Sequence, residues 1–178
     1  TNTMAMPPKA ERRAKRMRVL RVKVAVGLSS MGDGISFNAV TSYGFGRVNS
    51  KVVGLTRDLR ALWTLEELGV PYRVHGVDHP AGETTSEEYR RLNPFAQVPV
   101  LEDDGFVLTE SGAILLYLAE KTGGLMPVDL QGRAQVTRWC FAALNTVEAP
   151  LLGLMVLDWT SDGSCGKHRE FMVGWVER

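Results

Sequence analysis

Residues 92–120 read LNPFAQVPVLEDDGFVLTESGAILLYLAE, and two irregularities in this stretch decide the fold. The first is Val98-Pro99-Val100, a proline set in residues of strand character. Proline has no N–H for a ladder, so it needs an edge, a strand start or a cis bond. The second is Thr109-Glu110-Ser111-Gly112, placed before Ile114, Leu115, Tyr117 and Leu118 at helical spacing. A serine at a helix start offers an anion its hydroxyl and the unpaired backbone N–H groups. Between the two, residues 98–102 and 106–109 read as strands around the tight turn Asp103-Asp104-Gly105.

Upstream, residues 51–55 (KVVGL) read as a buried strand. Residues 59–69 follow as a helix, with Asp58 as N-cap, Gly69 as its stop and Pro71 just beyond. Residues 72–77 alternate as a second strand. Residues 86–92 form a short helix opened by Ser86 and ended by Asn93-Pro94. The order is βαβαββα in a mixed four-stranded sheet. Its first two strands are parallel through a right-handed crossover, and its last two form a hairpin.

Downstream, residues 111–122 are a helix stopped by Gly123-Gly124. After a linker, residues 131–157 carry Val136, Trp139, Cys140, Ala143, Leu144 and Val147 at spacings of three and four, with a kink expected at Pro150. Residues 158–166 are a polar break, and another helix begins at Phe171. The expected organisation is an α/β domain over residues 51–128 and an incomplete all-α domain over residues 129–178. Residues 1–50 are expected to be a disordered basic and Gly/Ser-rich extension.

Charge is uneven. Residues 1–50 carry nine Lys/Arg against two Asp/Glu, and the rest carry twelve against eighteen. The acidic body argues against nucleic acid as the main partner. No run approaches the ~18 apolar residues of a membrane span, so no membrane role is expected. Cys140 and Cys165 lack metal-ligand spacing, and two reduced thiols in a cytoplasmic protein are expected, with a disulfide between them as the alternative. The extension has three readings: an organelle presequence, a basic tail for an anionic surface, or a start assigned too far upstream.

The element order, the proline before the third strand and Glu110-Ser111 at the last helix resemble the thioredoxin-like domain of the glutathione transferases. Residues 65–72 (LEELGVPY) are similar to that family's first helix and the approach to its second strand; residues 92–101 are similar to its cis-proline segment. The resemblance implies glutathione as cosubstrate, a small hydrophobic electrophile, no metal, and a homodimer. It implies a cis Val98-Pro99 bond that turns the Val98 backbone toward an extended peptide ligand. Glu110 and Ser111 are then the γ-glutamyl contacts, and Gln97 a contact to the glycine carboxylate. On the residues alone, Ser111 reads first as a helix cap, and Gln97 equally as a surface amide.

The family activates the glutathione thiol with a Tyr, Ser or Cys near the end of the first strand. Between Val52 and Trp63 this chain has none, and Thr56 is the candidate thiolate donor, with Arg57 beside it adding positive potential. Arg60 reads as an ion-pair residue, His75, His79 and His168 as non-catalytic, and Glu102-Asp103-Asp104 as a solvated hairpin tip. Trp139, Phe141, Leu144 and Leu151 line either an electrophile pocket or a packed interface. The implied activity is glutathione transfer or a glutathione-dependent reduction. The rival is a non-catalytic interaction module of the same fold.

Overall fold

The computed structural model describes residues 37–47, 54–160 and 166–176. From Ala39 onward they belong to one compact unit. In chain order the elements are β1 (Val40–Phe45), α1 (Asp58–Leu68), β2 (Tyr72–Val77), two 3-10 turns (His79–Ala81 and Glu83–Thr85), α2 (Glu87–Leu92), β3 (Val100–Asp103), β4 (Phe106–Thr109) and α3 (Ser111–Thr122). A helical region follows: α4 (Leu130–Phe141), a π-helical segment (Ala142–Glu148), α5 (Ala149–Thr160) and α6 (Gly166–Val176).

The sheet is four-stranded and mixed, in the order β2-β1-β3-β4. β1 runs parallel to β2, Val40 opposite Tyr72, and antiparallel to β3, Ser42 opposite Leu101. β3 and β4 form the expected hairpin. This is the thioredoxin-like arrangement of the α/β reading, followed by a helical region.

The first strand is a correction. It is Val40–Phe45, inside the stretch expected to be an extension, and not residues 51–55. Gly54 lies in a turn at φ 83° and Leu55 is exposed; residues 51–53 lie outside the described residues, as do most of residues 1–50. The strand's helix-facing side is Val40, Ser42 and Gly44, small and partly polar, so it lacks the apolar run that marks a buried strand. The small residue is needed. A Cβ on Gly44 would stand 2.7 Å from Asp58 Oδ2, the oxygen that accepts the Phe45 N–H at 3.0 Å.

One core cluster, Val40, Ala61, Leu65, Leu68, Val70, Leu101, Ile114 and Leu118, fills the space between the sheet and helices α1 and α3. A second, Val77, Tyr89, Val98 and Val100, lies on the opposite face with Tyr43, Phe45 and Leu92. Burying each large side chain contributes about 1.5–3 kcal/mol. The sheet therefore holds α1, α3 and the Val98-Pro99 segment in fixed relation.

Local signals placed most boundaries. Gly69 stops α1 at φ 63°, and the Ser86 hydroxyl accepts the Tyr89 N–H to cap α2. Asp58 is the first residue of α1 and Arg57 its N-cap, because the Asp58 carboxylate is turned to β1. The hairpin acids are not all solvated. Asp103 is buried, accepting the Tyr117 hydroxyl at 2.7 Å and an ion pair from Lys121.

Residues 130–160 form one continuous helical run through Pro150. The π turns end just before Ala149. They widen the backbone where the proline ring meets the carbonyl four residues earlier, that of Thr146. Among the described residues, Leu130–Trp159 is long and apolar enough, by length and composition only, to cross a membrane. It is not an unbroken apolar run, since Arg133, Arg138, Glu148 and Asp158 interrupt it. α6 starts at Gly166, five residues before the expected Phe171, and Cys165 and the rest of residues 161–165 lie outside the described residues.

Candidate functional site

The Val98-Pro99 bond is cis. The paired part of β3 begins at Val100, which leaves the Val98 peptide groups outside the sheet ladder while its side chain is anchored in the second core cluster. The loop before it is held by the Gln97 carbonyl, which accepts the Tyr89 hydroxyl at 2.9 Å and Asn93 Nδ2 at 2.7 Å. Those bonds fix the backbone and leave the Gln97 side chain exposed.

Glu110 and Ser111 form the start of α3. Glu110 is the N-cap, at φ 69° and ψ 116°, and its side chain makes no capping bond. A non-glycine residue in such a conformation costs about 1–3 kcal/mol, and such residues cluster at ligand sites. Ser111 is buried at 3 % exposure. Its Oγ accepts a hydrogen bond from Arg60 Nη1 at 3.2 Å. Because the oxygen is the acceptor there, the hydroxyl proton remains available to an acceptor on the other side.

Arg60 also makes the ion pair expected of it, with a partner the sequence did not name. Its Nη1 and Nη2 reach the two oxygens of Glu148 at 3.2 and 3.1 Å. Arg57 Nε donates to the same carboxylate at 2.9 Å. Burial pushes the Glu148 carboxyl up, but the two guanidiniums outweigh it and hold it below the usual carboxylate range. Glu148 is the last residue of the π segment, 88 positions from Arg60. Nothing local marks such a partner; the one sequence signal is that Glu148 is the only acid between Asp129 and Asp158.

Thr56 and Arg57 stand where the chain enters α1, half-buried. The Thr56 carbonyl accepts the Leu59 N–H. Arg57, expected to add positive potential near a thiol, is committed to Glu148. The structure thus brings Arg57, Arg60, Ser111 and Glu148 together, and shows Val98, Pro99 and Gln97 on the loop leading into β3.

A cavity of about 500 Å³ opens beside Arg60 and Ser111, walled by Leu115, Val136, Trp139 and Leu144. Its size suits a small ligand. Cys140 also lines it, its thiol pushed up by burial. Phe141 instead lines a second groove with Leu116 and Leu130, and Leu151 is exposed. Among the described residues no cluster of His, Cys, Asp and Glu suits a metal ion.

Residues 51–120 match the family described as glutathione S-transferase, N-terminal domain. The chain is 37 % identical over 118 residues to glutathione S-transferase theta-2 of Rattus norvegicus, covering 57 % of this chain and 48 % of that protein. The theta class glutathione S-transferase from Xanthomonas axonopodis pv. citri, solved with glutathione bound, is 34 % identical at a TM-score of 0.56, covering 65 % of this chain and 53 % of the other. Ure2p in complex with glutathione is 25 % identical at a TM-score of 0.67, covering 82 % and 61 %. The chain thus spans about half the length of the curated relative it matches. With the mixed sheet and the cis proline in place, residues 51–120 match the glutathione S-transferase N-terminal family, and the α/β domain that contains them resembles that of the glutathione transferases.

Proposed function

We propose that the chain binds glutathione and presents its thiol to a small apolar electrophile. The observation that carries this reading is Ser111, buried at the start of α3 with its Oγ held by Arg60, in a domain whose relatives include glutathione-bound structures. The γ-glutamyl carboxylate meets the Ser111 hydroxyl and the free N–H groups of α3, where the helix dipole favours negative charge. The Glu110 carboxylate faces the ligand's ammonium. The central part of the tripeptide pairs with the Val98 backbone beside Pro99, as an added strand does. Gln97 takes the glycine carboxylate. The Thr56 hydroxyl donates to the sulfur and stabilises the thiolate.

With an aryl halide, the thiolate sulfur attacks the ring carbon, a C–S bond forms, the C–halogen bond breaks and the halide leaves. The thiol proton goes to solvent. The cavity beside Trp139 and Leu144 accommodates the apolar partner, and the assembly is a homodimer.

Retention on immobilised glutathione and conjugation of an aryl halide test the reading together. A purified chain that does neither is not a glutathione enzyme. Thr56→Val is expected to lower conjugation about 10²-fold, the scale of losing one positioned donor, with Thr56→Ser restoring it. Unchanged conjugation in Thr56→Val would remove Thr56 from the chemistry. A second reading, binding without turnover, is favoured by one observation: the Arg57 guanidinium is paired through Nε with Glu148, 91 positions away. Retention on glutathione without conjugation is its signature.

A further inference from the structure

The two-arginine fork that holds Glu148 is itself a carboxylate site. Arg60 presents two parallel N–H groups to the two oxygens, and Arg57 adds a third donor from Nε. Paired, planar donation of this kind is how arginine recognises carboxylates. The occupant is the chain's own side chain, and it lies next to the serine proposed to hold a ligand carboxylate: Arg60 Nη1 is shared between Glu148 Oε2 and Ser111 Oγ. Two guanidiniums facing one carboxylate leave one positive charge unbalanced. The two arginine side chains are about a third exposed, at 38 % and 33 %, so the fork is reachable from solvent. The carboxylate is carried on π turns, a helical geometry that is rare and frequent at functional sites.

We propose that Arg57 and Arg60 form a carboxylate subsite continuous with Ser111, and that Glu148 is its internal competitor, setting how tightly an incoming α-carboxylate binds. The choice of glutathione as the natural ligand rests on the function proposed above; the fork and its occupant do not. When a ligand carboxylate arrives, it exchanges with Glu148 on Arg60 while keeping the Ser111 hydroxyl. Glu148 therefore weakens the ground-state complex and leaves the chemistry of bound ligand alone.

The test uses Glu148→Gln, which keeps the shape and removes the charge, and begins with acetate as the probe. The Arg57 and Arg60 side-chain N–H signals are followed by NMR as acetate is added. In the variant they are expected to shift and saturate at about tenfold lower acetate than in the wild type, as charge-assisted pairing to a vacated fork requires. Signals that stay still in the variant, or that move at the same concentration in both proteins, overturn the proposal. The second arm is calorimetric titration with glutathione and with its analogue lacking the α-carboxylate. Glu148→Gln is expected to bind glutathione about tenfold tighter and the analogue no differently; equal gains for both ligands overturn the proposal. Saturable acetate shifts without glutathione binding in either protein would keep the fork and remove glutathione as its ligand. If Glu148→Gln loses its cooperative melt, Glu148→Asp, whose shorter carboxylate reaches the fork less well, is read by the same criteria.

Discussion

Arg60 Nη1 donates to Ser111 Oγ at 3.2 Å, and this bond joins α1 to the first residue of α3 across 51 positions of sequence. It makes Ser111 part of a network rather than a solitary cap. Removing the hydroxyl by Ser111→Ala leaves Arg60 its two contacts to Glu148, so the fold loses only about 1 kcal/mol. Retention on glutathione is expected to fall about tenfold, the scale of one lost hydrogen bond to a charged group. Equal retention of wild type and variant would detach Ser111 from the ligand.

Gly44 predicts a stability effect of another kind. Gly44→Ala places its Cβ 2.7 Å from Asp58 Oδ2 and forces the carboxylate off the Phe45 N–H. The expected loss is about 2 kcal/mol, typical of overpacking at a close contact, read as a lowered midpoint in urea. Gly54→Ala, which meets nothing in space but sits at φ 83°, separates backbone strain from collision.

Asp103 carries an acid limit on stability. Burial raises its carboxyl, but the hydrogen bonds from Lys121 and Tyr117 outweigh burial and hold it below the ordinary value. Its folded-state value is therefore depressed relative to the unfolded chain, near 4 for an aspartate. Its stabilisation is full above that pH and is lost as pH falls through the folded value. Asp103→Asn is expected to lower the melting temperature at pH 7 and to close much of the gap to wild type below pH 3. A constant gap across that range would contradict the assignment.

The tyrosines set the alkaline limit. All four of them, Tyr43, Tyr72, Tyr89 and Tyr117, are shifted upward, chiefly by burial, with Tyr89 and Tyr117 pushed up to about 12. A raised folded-state value means stability is full below the unfolded value of about 10 and declines as pH rises toward the folded one. Spectrophotometric titration is expected to show little tyrosinate at pH 10.5 in the folded chain and mostly tyrosinate in urea.

Much of the α/β domain was legible in the sequence because its signals are local. Gly69, Ser86, the Asp-Gly hairpin and the run before Thr122 each set a boundary through backbone chemistry within a few residues. β1 was misplaced because its buried side is Val40, Ser42 and Gly44, with Gly44 needed to clear Asp58, and so shows no apolar run. Asp103 was misread because a carboxylate beside a turn looks solvated until Lys121, 18 residues on, is brought to it. The same limit hid Glu148. Ser111 and Pro99 sit within twelve residues of each other, whereas the arginine fork closes over a far longer span.

The Phe45 N–H to Asp58 carboxylate bond pins together the two ends of the β1–α1 connection. The start of α1 is thereby tied to the end of β1 by a direct bond across 13 positions of sequence. Gly44, Phe45 and Asp58 act as one staple between strand and helix, so a change at any of the three is felt in the register of the central strand.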